Sequence, residues 1–427
     1  MKSLLPPEVE ATVDFLDELL GRTRLRNVAV RLWDGTCWPD EAPRAATLLL
    51  KDAGSLRRMF AAATEKALAE AYLRGDFDVT GEMEAAFELA DTLAEEGGWK
   101  RSLRLAYLLH RLPAGAGPGE GSRRADFSGR HDRHSQERDR EAVSFHYDVS
   151  NDFYRLWLDE RMVYSCAYFR TPGDGLDAAQ EAKLDLLCRK LRLRPGQRLL
   201  DIGCGWGGLA LHAAKRYGVH VTGVTLSRNQ AALATARAEA AGLAGRVQIE
   251  LRDYRTVDTA QPFDAVVSVG MSEHVGGENL PAYFRTAFGL LRPGGVFLNH
   301  AIGEGPRYRP GEGPSFIDEY IFPDSDIPPV QTVVTAAAAA GFEIRDVENL
   351  REHYALTLRA WVCRLEAKHD EALAFVREPA YRAWRLYMAG SAHGFAQGRL
   401  AIYQVLLSRD DGNGQAGLPL TRDDWYS

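Results

Sequence analysis

The sequence lacks the features of several large protein classes. No stretch approaches the ~18 consecutive apolar residues of a membrane-spanning helix, and no apolar run of signal length follows the opening Met-Lys-Ser-Leu-Leu-Pro-Pro. Positive charge is not in excess, because 59 acidic residues outnumber 52 basic ones and give a net charge of −7. This balance argues against a nucleic-acid binder that works through overall charge. Any encounter with a membrane is therefore expected at the bilayer surface.

Cysteine is also scarce. The five cysteines, at positions 37, 166, 188, 204 and 363, form no C-x-x-C pair and no framework of a small secreted domain. This usage fits a reducing cytoplasm. His131 and His134 stand three residues apart, but no cysteine or third ligand lies nearby. We therefore predict no metal site.

The length of 427 residues and the hydrophobic content of 45% predict about two to three domains. Between residues 113 and 142 the composition shifts to Gly, Pro, Ser, Arg, Asp and His, which predicts a flexible linker. We expect a smaller mixed or helical domain over 1–112, a second domain over 143–410 and an irregular tail over 411–427. In the first domain, periodicity predicts helices at 8–21, 55–73, 82–94 and 99–111 and strands at 28–33 and 47–51.

The predicted helix 99–111 mixes basic and apolar residues. Lys100, Arg101, Arg104 and Arg111 share it with Trp99, Leu105, Leu108 and Leu109. Such a segment suits the surface of an anionic membrane, which makes this domain a candidate for lipid docking. A surface helix that packs on its own domain fits the pattern equally well.

A glycine-rich stretch at 199–208 organises the second domain. Leu199, Leu200 and Ile202 predict a buried strand, and the glycines that follow leave the backbone open to a close ligand. Asp201 directly precedes the G-x-G-x-G-G run, whereas a dinucleotide site would need G-x-G-x-x-G. A carboxylate here can bind an ammonium and the bare amides a carboxylate. The loop therefore favours S-adenosylmethionine over NAD, although such a turn can also serve packing alone.

Strands and helices alternate regularly around this loop. Strands are predicted near 197–202, 219–224, 247–251, 264–269 and 295–302, with helices near 207–216, 227–241 and 280–291. Upstream, Asn151 and Asp152 are expected to cap a helix over 152–159, and a further helix is expected over 177–192. The alternation predicts an α/β fold with a doubly wound, mostly parallel sheet.

Ligands of such sheets bind at the carboxyl ends of the strands. Besides the glycine loop, the stretches 225–230, 271–276 and 299–302 are expected at that edge. Glu273 and His300 therefore converge in one crevice and are candidates for acid–base chemistry.

These residues resemble those of the cyclopropane-fatty-acyl-phospholipid synthases and their relatives, the mycolic acid cyclopropane synthases and fatty-acyl methyltransferases. The segments that carry the resemblance are His146–Asp152, Tyr164–Tyr168, Asp201–Gly208, Val224–Ser227, Asp253–Arg255, Ser268–Gly276, Tyr320–Pro323 and His353–Leu358. It is strong over about 143–408 and looser before that. It implies the fold of an S-adenosylmethionine-dependent methyltransferase for the second domain.

The resemblance also implies a cofactor site. It assigns Tyr164, Ser165, Gly203, Gly205, Thr225, Leu226, Gln230, Tyr254 and Arg255 to S-adenosylmethionine, and the loop itself adds Asp201 and Gly207. Aromatic faces stabilise a sulfonium by cation–π contact. Phe145, Tyr147 and Trp206, like Tyr164, lie in or near the matching motifs.

The reaction implied is methyl transfer to a cis double bond, followed by loss of a proton from the new methyl group and ring closure. In the family a bound bicarbonate is the base, and its ligands correspond here to Glu273, His300, Tyr354 and backbone groups of Cys166 and Ile302. A carboxylate facing an anion requires shared protons, so the set titrates together. Each residue also has a structural alternative: Glu273 as a helix cap, His300 and Tyr354 as core residues.

One position departs from the family pattern. Family members often carry a reactive cysteine in the late helical stretch, and the matching position here is Ser391. Thiol catalysis at that position is therefore excluded, while the bicarbonate chemistry does not need it.

The sequence thus predicts a cytoplasmic enzyme, peripheral at the inner membrane face, that acts on unsaturated phospholipid acyl chains. A homodimer is possible. The alternatives are a methyltransferase that yields a methylene- or methyl-branched chain, a soluble small-molecule methyltransferase and a non-catalytic lipid-binding module.

Overall fold

The computed structural model describes residues 5–21, 27–62, 64–95, 99–114, 135, 138–139, 141–142, 150–258, 260–309 and 315–426, with the backbone alone for 92–95, 99 and 100. The chain divides into two compact units. The first comprises residues 1–124, 313–321 and 377–393, and the second comprises 125–312, 322–376 and 394–427. His131, His134 and the start of the first matching motif, 146–149, lie outside the described residues.

The described helices and strands follow in chain order. The strands are β1 (Val28–Arg31), β2 (Cys37–Trp38), β3 (Ala46–Leu50), β4 (Phe77–Gly81), β5 (Arg198–Ile202), β6 (His220–Thr225), β7 (Val247–Leu251), β8 (Phe263–Val269), β9 (Leu291–Glu304), β10 (Glu343–Asn349) and β11 (Leu400–Ser408). The helices are α1 (Pro7–Leu20), α2 (Ser55–Phe60), α3 (Glu65–Leu73), α4 (Met83–Glu95), α5 (Trp99–Arg111), α6 (Asn151–Trp157), α7 (Leu176–Lys190), α8 (Gly208–Tyr217), α9 (Arg228–Ala240), α10 (Ser272–Val275), α11 (Leu280–Leu290), α12 (Phe316–Tyr320), α13 (Val330–Ala339), α14 (Arg351–Ala367), α15 (His369–Ala372) and α16 (Glu378–Ala396).

The first unit contains a small mixed sheet. Its strand order is β2-β1-β3-β4, with β1 and β3 parallel and the outer pairs antiparallel. The single helix predicted over 55–73 is in fact α2 and α3, because the hydroxyl oxygen of Thr64 accepts a hydrogen bond from the N–H of Ala67 and starts a new helix there. The two short strands β2 and β4 were not predicted.

Two late segments belong to the first unit, although the sequence boundaries place them within 143–410. An ion pair between Lys66 and Glu319 holds α12 to α3. In α16, Arg382 pairs with Asp78 at 2.6 Å. Because the guanidinium of Arg382 is largely removed from water, it requires its acidic partner. The first unit therefore depends on residues far apart in the chain.

The second unit contains the large sheet, whose strand order is β10-β11-β9-β8-β5-β6-β7. Strands β5 to β9 pair in parallel, and β11 runs antiparallel between β9 and β10. Neighbouring residues of β5 face opposite layers: Leu199 packs in a core cluster with α7 and α8, and Leu200 in a cluster with α11 and α13. A strand buried on both faces reads as a continuous apolar run. The predicted doubly wound, mostly parallel sheet is confirmed.

Side-chain contacts also hold the part of the chain that precedes this sheet. Near the end of the predicted linker, Arg138 pairs with Asp324 at 2.5 Å. The cap of α6 is Ser150, not the predicted Asn151 and Asp152, because its hydroxyl accepts from the first N–H groups of the helix. Asn151 is the first helical residue and leaves its side chain for another contact.

No described helix has both the length and the apolar character of a membrane span. Among the same residues, no three His, Cys, Asp or Glu side chains are grouped so as to hold a metal ion.

Candidate functional site

The glycine loop between β5 and α8 adopts a left-handed backbone at three positions, with φ of +77° at Gly203, +54° at Gly205 and +79° at Gly207. A Cβ at Gly203 would lie 2.5 Å from Cγ of Met271, and one at Gly207 would lie 3.1 Å from Cβ of Ala234. At Gly205 a Cβ would meet nothing within 4 Å. Gly205 therefore faces open space, whereas Gly207 is required by packing against α9, and its role at the cofactor stays a prediction.

A buried acid lies directly before this loop. Within the described residues, Oδ2 of Asp201 is buried without a hydrogen-bond partner. Burial raises the pKa of Asp201 to about 7, against the opposing positive charge of Lys183. The Lys183 ammonium donates to Oγ of Ser165 at 2.7 Å, and burial lowers the pKa of Lys183 to about 8. This corner therefore has a carboxyl oxygen available for a ligand's ammonium.

The end of β6 forms a second part of the candidate site. The hydroxyl of Thr225 donates to Oε1 of Gln230 at 2.7 Å and accepts from the N–H of Ser227 at 3.2 Å. Both Thr225 and Gln230 are buried, and Leu226 between them is half-buried. The structure thus brings these three predicted residues together in one turn.

Tyr254 and Arg255 follow β7. The Arg255 guanidinium contacts Asp253 at 2.6 Å and Asp139 at 2.8 Å. Burial raises the pKa of Tyr254 to about 12, which keeps its hydroxyl protonated. Arg255 is engaged by carboxylates of the protein itself, so its role as a cofactor ligand stays a prediction.

Aromatic rings surround Tyr164. Its ring centroid lies 5.2 Å from that of Trp361, 5.5 Å from Trp157 and 5.8 Å from Tyr154. Tyr154 in turn lies 4.7 Å from Trp206 of the glycine loop, whose indole N–H donates to Oδ1 of Asn151 at 2.7 Å. This aromatic cluster has the chemistry to stabilise a cation. Phe145 and Tyr147 lie outside the described residues.

Glu273 is buried in α10. Its Oε1 accepts a hydrogen bond from the backbone N–H of Ile302 at 2.7 Å, and among the described residues Oε2 has no partner. Burial raises the pKa of Glu273 to about 7, although the Ile302 N–H opposes this shift. The side chain bonds to β9, and α10 has no side-chain cap. The predicted alternative of a helix cap does not describe this contact.

His300 lies two residues before Ile302 in β9. Its Nδ1 is 3.1 Å from Nε2 of Gln404, and its Nε2 is buried with no hydrogen-bond partner in the described chain. Burial and the charges of Lys183 and Lys190 hold the pKa of His300 well below its usual value. The ring is therefore neutral and has one nitrogen available.

Cys166 and Tyr354 both contact Leu350, the residue directly before α14. The thiol of Cys166 lies 3.8 Å from the carbonyl oxygen of Leu350, which also accepts the N–H of Tyr354 at 3.1 Å. The N–H of Leu350 donates to the carbonyl of Ile402, the register partner of Ile302. These contacts join Cys166 and the backbone of Tyr354 to β11 beside Ile302, and a role of the Tyr354 phenol at the site stays a prediction.

The three buried thiols do not add a nucleophile. Burial raises the pKa of Cys166, Cys188 and Cys204 well above the ordinary value of a thiol, so these groups remain protonated. Ser391 is buried in α16 in the part of that helix that belongs to the first unit.

Three buried polar residues around the site were not predicted from the sequence: Lys183, Lys190 and Gln404. Both lysines lie on the buried face of α7, in line with Leu187. A lysine spaced seven residues from another and on the apolar face of a helix is a signal that could have found them.

Residues 134–405 match the family described as mycolic acid cyclopropane synthetase. A probable fatty acid methyltransferase of Pseudomonas putida is 40% identical over 401 residues, which cover 93% of this chain and 95% of that protein. The cyclopropane-fatty-acyl-phospholipid synthase of Escherichia coli strain K12 is 41% identical over 269 residues, which cover 63% of this chain and 68% of that protein.

Two solved structures of cyclopropane synthases also match the chain. A cyclopropane synthase from Mycobacterium tuberculosis matches with a TM-score of 0.61 and 35% identity, over 65% of this chain and 99% of that chain. A mycolic acid cyclopropane synthase solved in complex with SAH and CTAB matches with a TM-score of 0.59 and 36% identity, over 63% of this chain and 97% of that chain. The methyltransferase type of the predicted fold is confirmed.

Proposed function

The chain belongs to the mycolic acid cyclopropane synthetase family, whose match spans residues 134–405, and on this premise we propose that it transfers the methyl carbon of S-adenosylmethionine to a cis double bond of an unsaturated phospholipid acyl chain. The product is a cyclopropane ring in the acyl chain. One observation carries this proposal: Glu273 and His300 each bury a polar atom without a partner in the described chain at the end of β9. A buried polar atom without a partner in a native fold requires an explanation, and a ligand bound at this strand end would account for both atoms.

The cofactor would bind along the glycine loop. Open space at Gly205 admits the ligand to the backbone, and the free oxygen of Asp201 can accept its ammonium. Thr225 and Gln230 present a hydroxyl and an amide at the end of β6, where ribose hydroxyls bind in sheets of this kind. Tyr164 and its neighbouring rings suit the sulfonium.

The proposed chemistry needs no protein nucleophile. The π electrons of the alkene form a bond to the methyl carbon, the carbon–sulfur bond breaks and S-adenosylhomocysteine leaves. The resulting carbocation loses a proton from the new methyl group, and the electrons of that C–H bond close the ring. A protein base placed at this carbon would risk alkylation.

The residues at the end of β9 fit a small protonated anion, and a bicarbonate bound there would supply the base for proton removal. Glu273, with a pKa of about 7, can hold or release a proton at its free oxygen. The free nitrogen of His300 and the phenol of Tyr354 can each donate a hydrogen bond to an anion.

A methylene- or methyl-branched product is the second candidate. It begins with the same cation. Loss of a neighbouring chain proton gives a methyl-branched alkene, and a 1,2-hydride shift followed by loss of a methyl proton gives a methylene branch. The relative that matches along 93% of this chain is named a fatty acid methyltransferase, whereas the named cyclopropane synthase of Escherichia coli matches 63%. That difference in coverage favours this alternative.

Analysis of lipids from cells that express the chain tests the proposal. A gain of one CH2 unit in unsaturated acyl chains is expected in mass spectra of the phospholipids. Proton NMR then separates a ring from a branch, because only the cyclopropane has ring hydrogens at high field. Lipids without added carbon would contradict the proposed function.

We also propose that α5 docks the enzyme on the inner face of the anionic cytoplasmic membrane. Leu103 and Tyr107, one helical turn apart, are each 63% exposed. Arg104 is exposed on the same helix but pairs with Glu18 at 2.9 Å, and Arg101 donates to the carbonyl of Leu19 at 2.7 Å. These arginines fasten α5 to α1, so the exposed apolar pair is the part available to enter a bilayer.

A further inference from the structure

A row of three side chains crosses the large sheet at the candidate site. Glu348 in β10, Gln404 in β11 and His300 in β9 are register partners across neighbouring strands. Lys190 from α7 lies against this row, with its ammonium in contact with Glu348 and 2.8 Å from Oε1 of Gln404. Gln404 and Lys190 are fully buried.

The contact with Lys190 fixes which way the Gln404 amide faces. An ammonium can only donate hydrogen bonds, so the amide atom beside it is the oxygen. The NH2 group of Gln404 is then the atom 3.1 Å from Nδ1 of His300. Because an NH2 group donates, Nδ1 of His300 must accept.

An acceptor at Nδ1 determines the tautomer of the ring. A neutral imidazole has one N–H and one bare nitrogen, so a bare Nδ1 places the hydrogen on Nε2. Burial and the nearby charges of Lys183 and Lys190 keep the pKa of His300 low, which excludes the doubly protonated ring. Burial lowers the pKa of Lys190, and the adjacent Glu348 opposes this shift by favouring the charged ammonium, the donor on which this order depends.

We propose that Gln404, oriented by Lys190, is a positioning residue that fixes His300 as the tautomer protonated on Nε2. The buried Nε2 then always presents a hydrogen-bond donor. The unpartnered carboxyl oxygen of Glu273 can accept a hydrogen bond. An oxyanion that carries a hydrogen could therefore donate to Glu273 and accept from Nε2 of His300. The role of the Nε2–H of His300 toward a bound oxyanion rests on the proposed function. The assignment of the tautomer does not.

Nitrogen-15 NMR of the histidine rings measures the tautomer directly. The full-length protein, labelled at its 11 histidines, gives distinct long-range proton–nitrogen patterns for the two neutral forms and for the imidazolium. The ring of His300 is identified as the signal lost in His300→Gln. We expect the pattern with hydrogen on Nε2 in the parent protein.

Gln404→Glu reverses the donor and acceptor roles between residue 404 and Nδ1 of His300, and it keeps the shape of the side chain. A carboxylate beside Lys190 accepts from both neighbours, so His300 is expected to place a hydrogen on Nδ1. Loss of the hydrogen-bond partner of a metal-ligating histidine costs about 10–100-fold in activity. We expect a loss of that size in kcat here, with little change in the affinity for S-adenosylmethionine. Lys190→Met, which frees the Gln404 amide to rotate, is expected to give both tautomers and serves if Gln404→Glu does not fold.

Ser408→Ala is the matched control. Ser408 is equally buried, four residues further along β11, and its hydroxyl has no partner among the described residues. It should leave the ring pattern and kcat as in the parent.

A parent ring with hydrogen on Nδ1, or an unchanged pattern in both Gln404→Glu and Lys190→Met, would overturn the inference. The expected patterns in a protein that methylates no lipid would support the inference and contradict the proposed function alone.

Discussion

Replacement of Glu273 by glutamine is expected to stabilise the protein above neutral pH. The folded protein holds this carboxyl in a buried position with one oxygen unpartnered among the described residues, and burial raises its pKa from 4.5 to about 7. Ionisation in that place is unfavourable, because the charge loses its hydration. Glutamine keeps the size of the side chain and can still accept the Ile302 N–H, but it carries no charge at any pH.

The sign and size follow from the two pKa values. The unfolded chain releases the proton near pH 4.5 and the folded chain near pH 7, so the folded protein loses stability from this residue as pH rises between them. The full difference corresponds to about 3 kcal/mol. Glu273→Gln should therefore be more stable than the parent by about 3 kcal/mol at pH 8 and by about 1 kcal/mol at pH 5.

Urea denaturation of both proteins at pH 5 and pH 8, without cofactor, measures this difference. Glu278→Gln is the control, because Glu278 is exposed five residues further on and its charge stays in water. It should change the free energy of unfolding little at either pH. A Glu273→Gln protein that is less stable than the parent by the same amount at both pH values would refute the reasoning and assign the residue a purely structural role.

Three further results are expected. Glu273→Gln should lower turnover by about 10²–10⁴-fold with near-normal S-adenosylmethionine affinity and partial rescue by bicarbonate; parent-like turnover in bicarbonate-depleted buffer would place the base elsewhere. Gly205→Val should abolish S-adenosylmethionine binding in calorimetry, whereas Gly242→Val, at a glycine with the same left-handed backbone and open surroundings, should not; normal affinity of the first variant would remove the cofactor assignment. Leu103→Glu combined with Tyr107→Glu should reduce sedimentation with anionic vesicles more than Phe375→Glu, which changes an exposed apolar residue of the second unit; equal sedimentation would exclude α5 as the contact.

The sheet and the edge that carries the candidate site could be predicted because they follow from local pattern. Apolar runs such as Leu199 and Leu200 give strands, glycines give the turn, and the rule that ligands bind at carboxyl ends places Glu273 near His300. The contact between Glu273 and the Ile302 backbone agrees with that convergence. The residues assigned to ligands by resemblance remain predictions.

Other features could not be predicted because they depend on distant contacts. A lysine is ordinarily a surface residue, yet Lys183 and Lys190 are buried by partners from elsewhere in the chain, Ser165 and Gln404. The cap at Ser150 was missed by one residue, since Asn151 is an equally good cap until its contact with Trp206 is known. The discontinuous first unit could not be predicted for the same reason, because it depends on a contact between Asp78 and Arg382, which are far apart in the chain.

That discontinuity determines when the first unit can be completed during synthesis. The ribosome releases residues 1–124 long before α16, so Asp78 and the hydroxyl of Tyr72 wait for Arg382 and Arg385 while the whole second sheet up to β10 is made. Truncation after residue 124 would leave Asp78 and the hydroxyl of Tyr72 without these arginines of α16. The amino-terminal region therefore cannot be removed as an independent domain. A shortened protein that lacks it would also need new residues at positions 382 and 385 of α16.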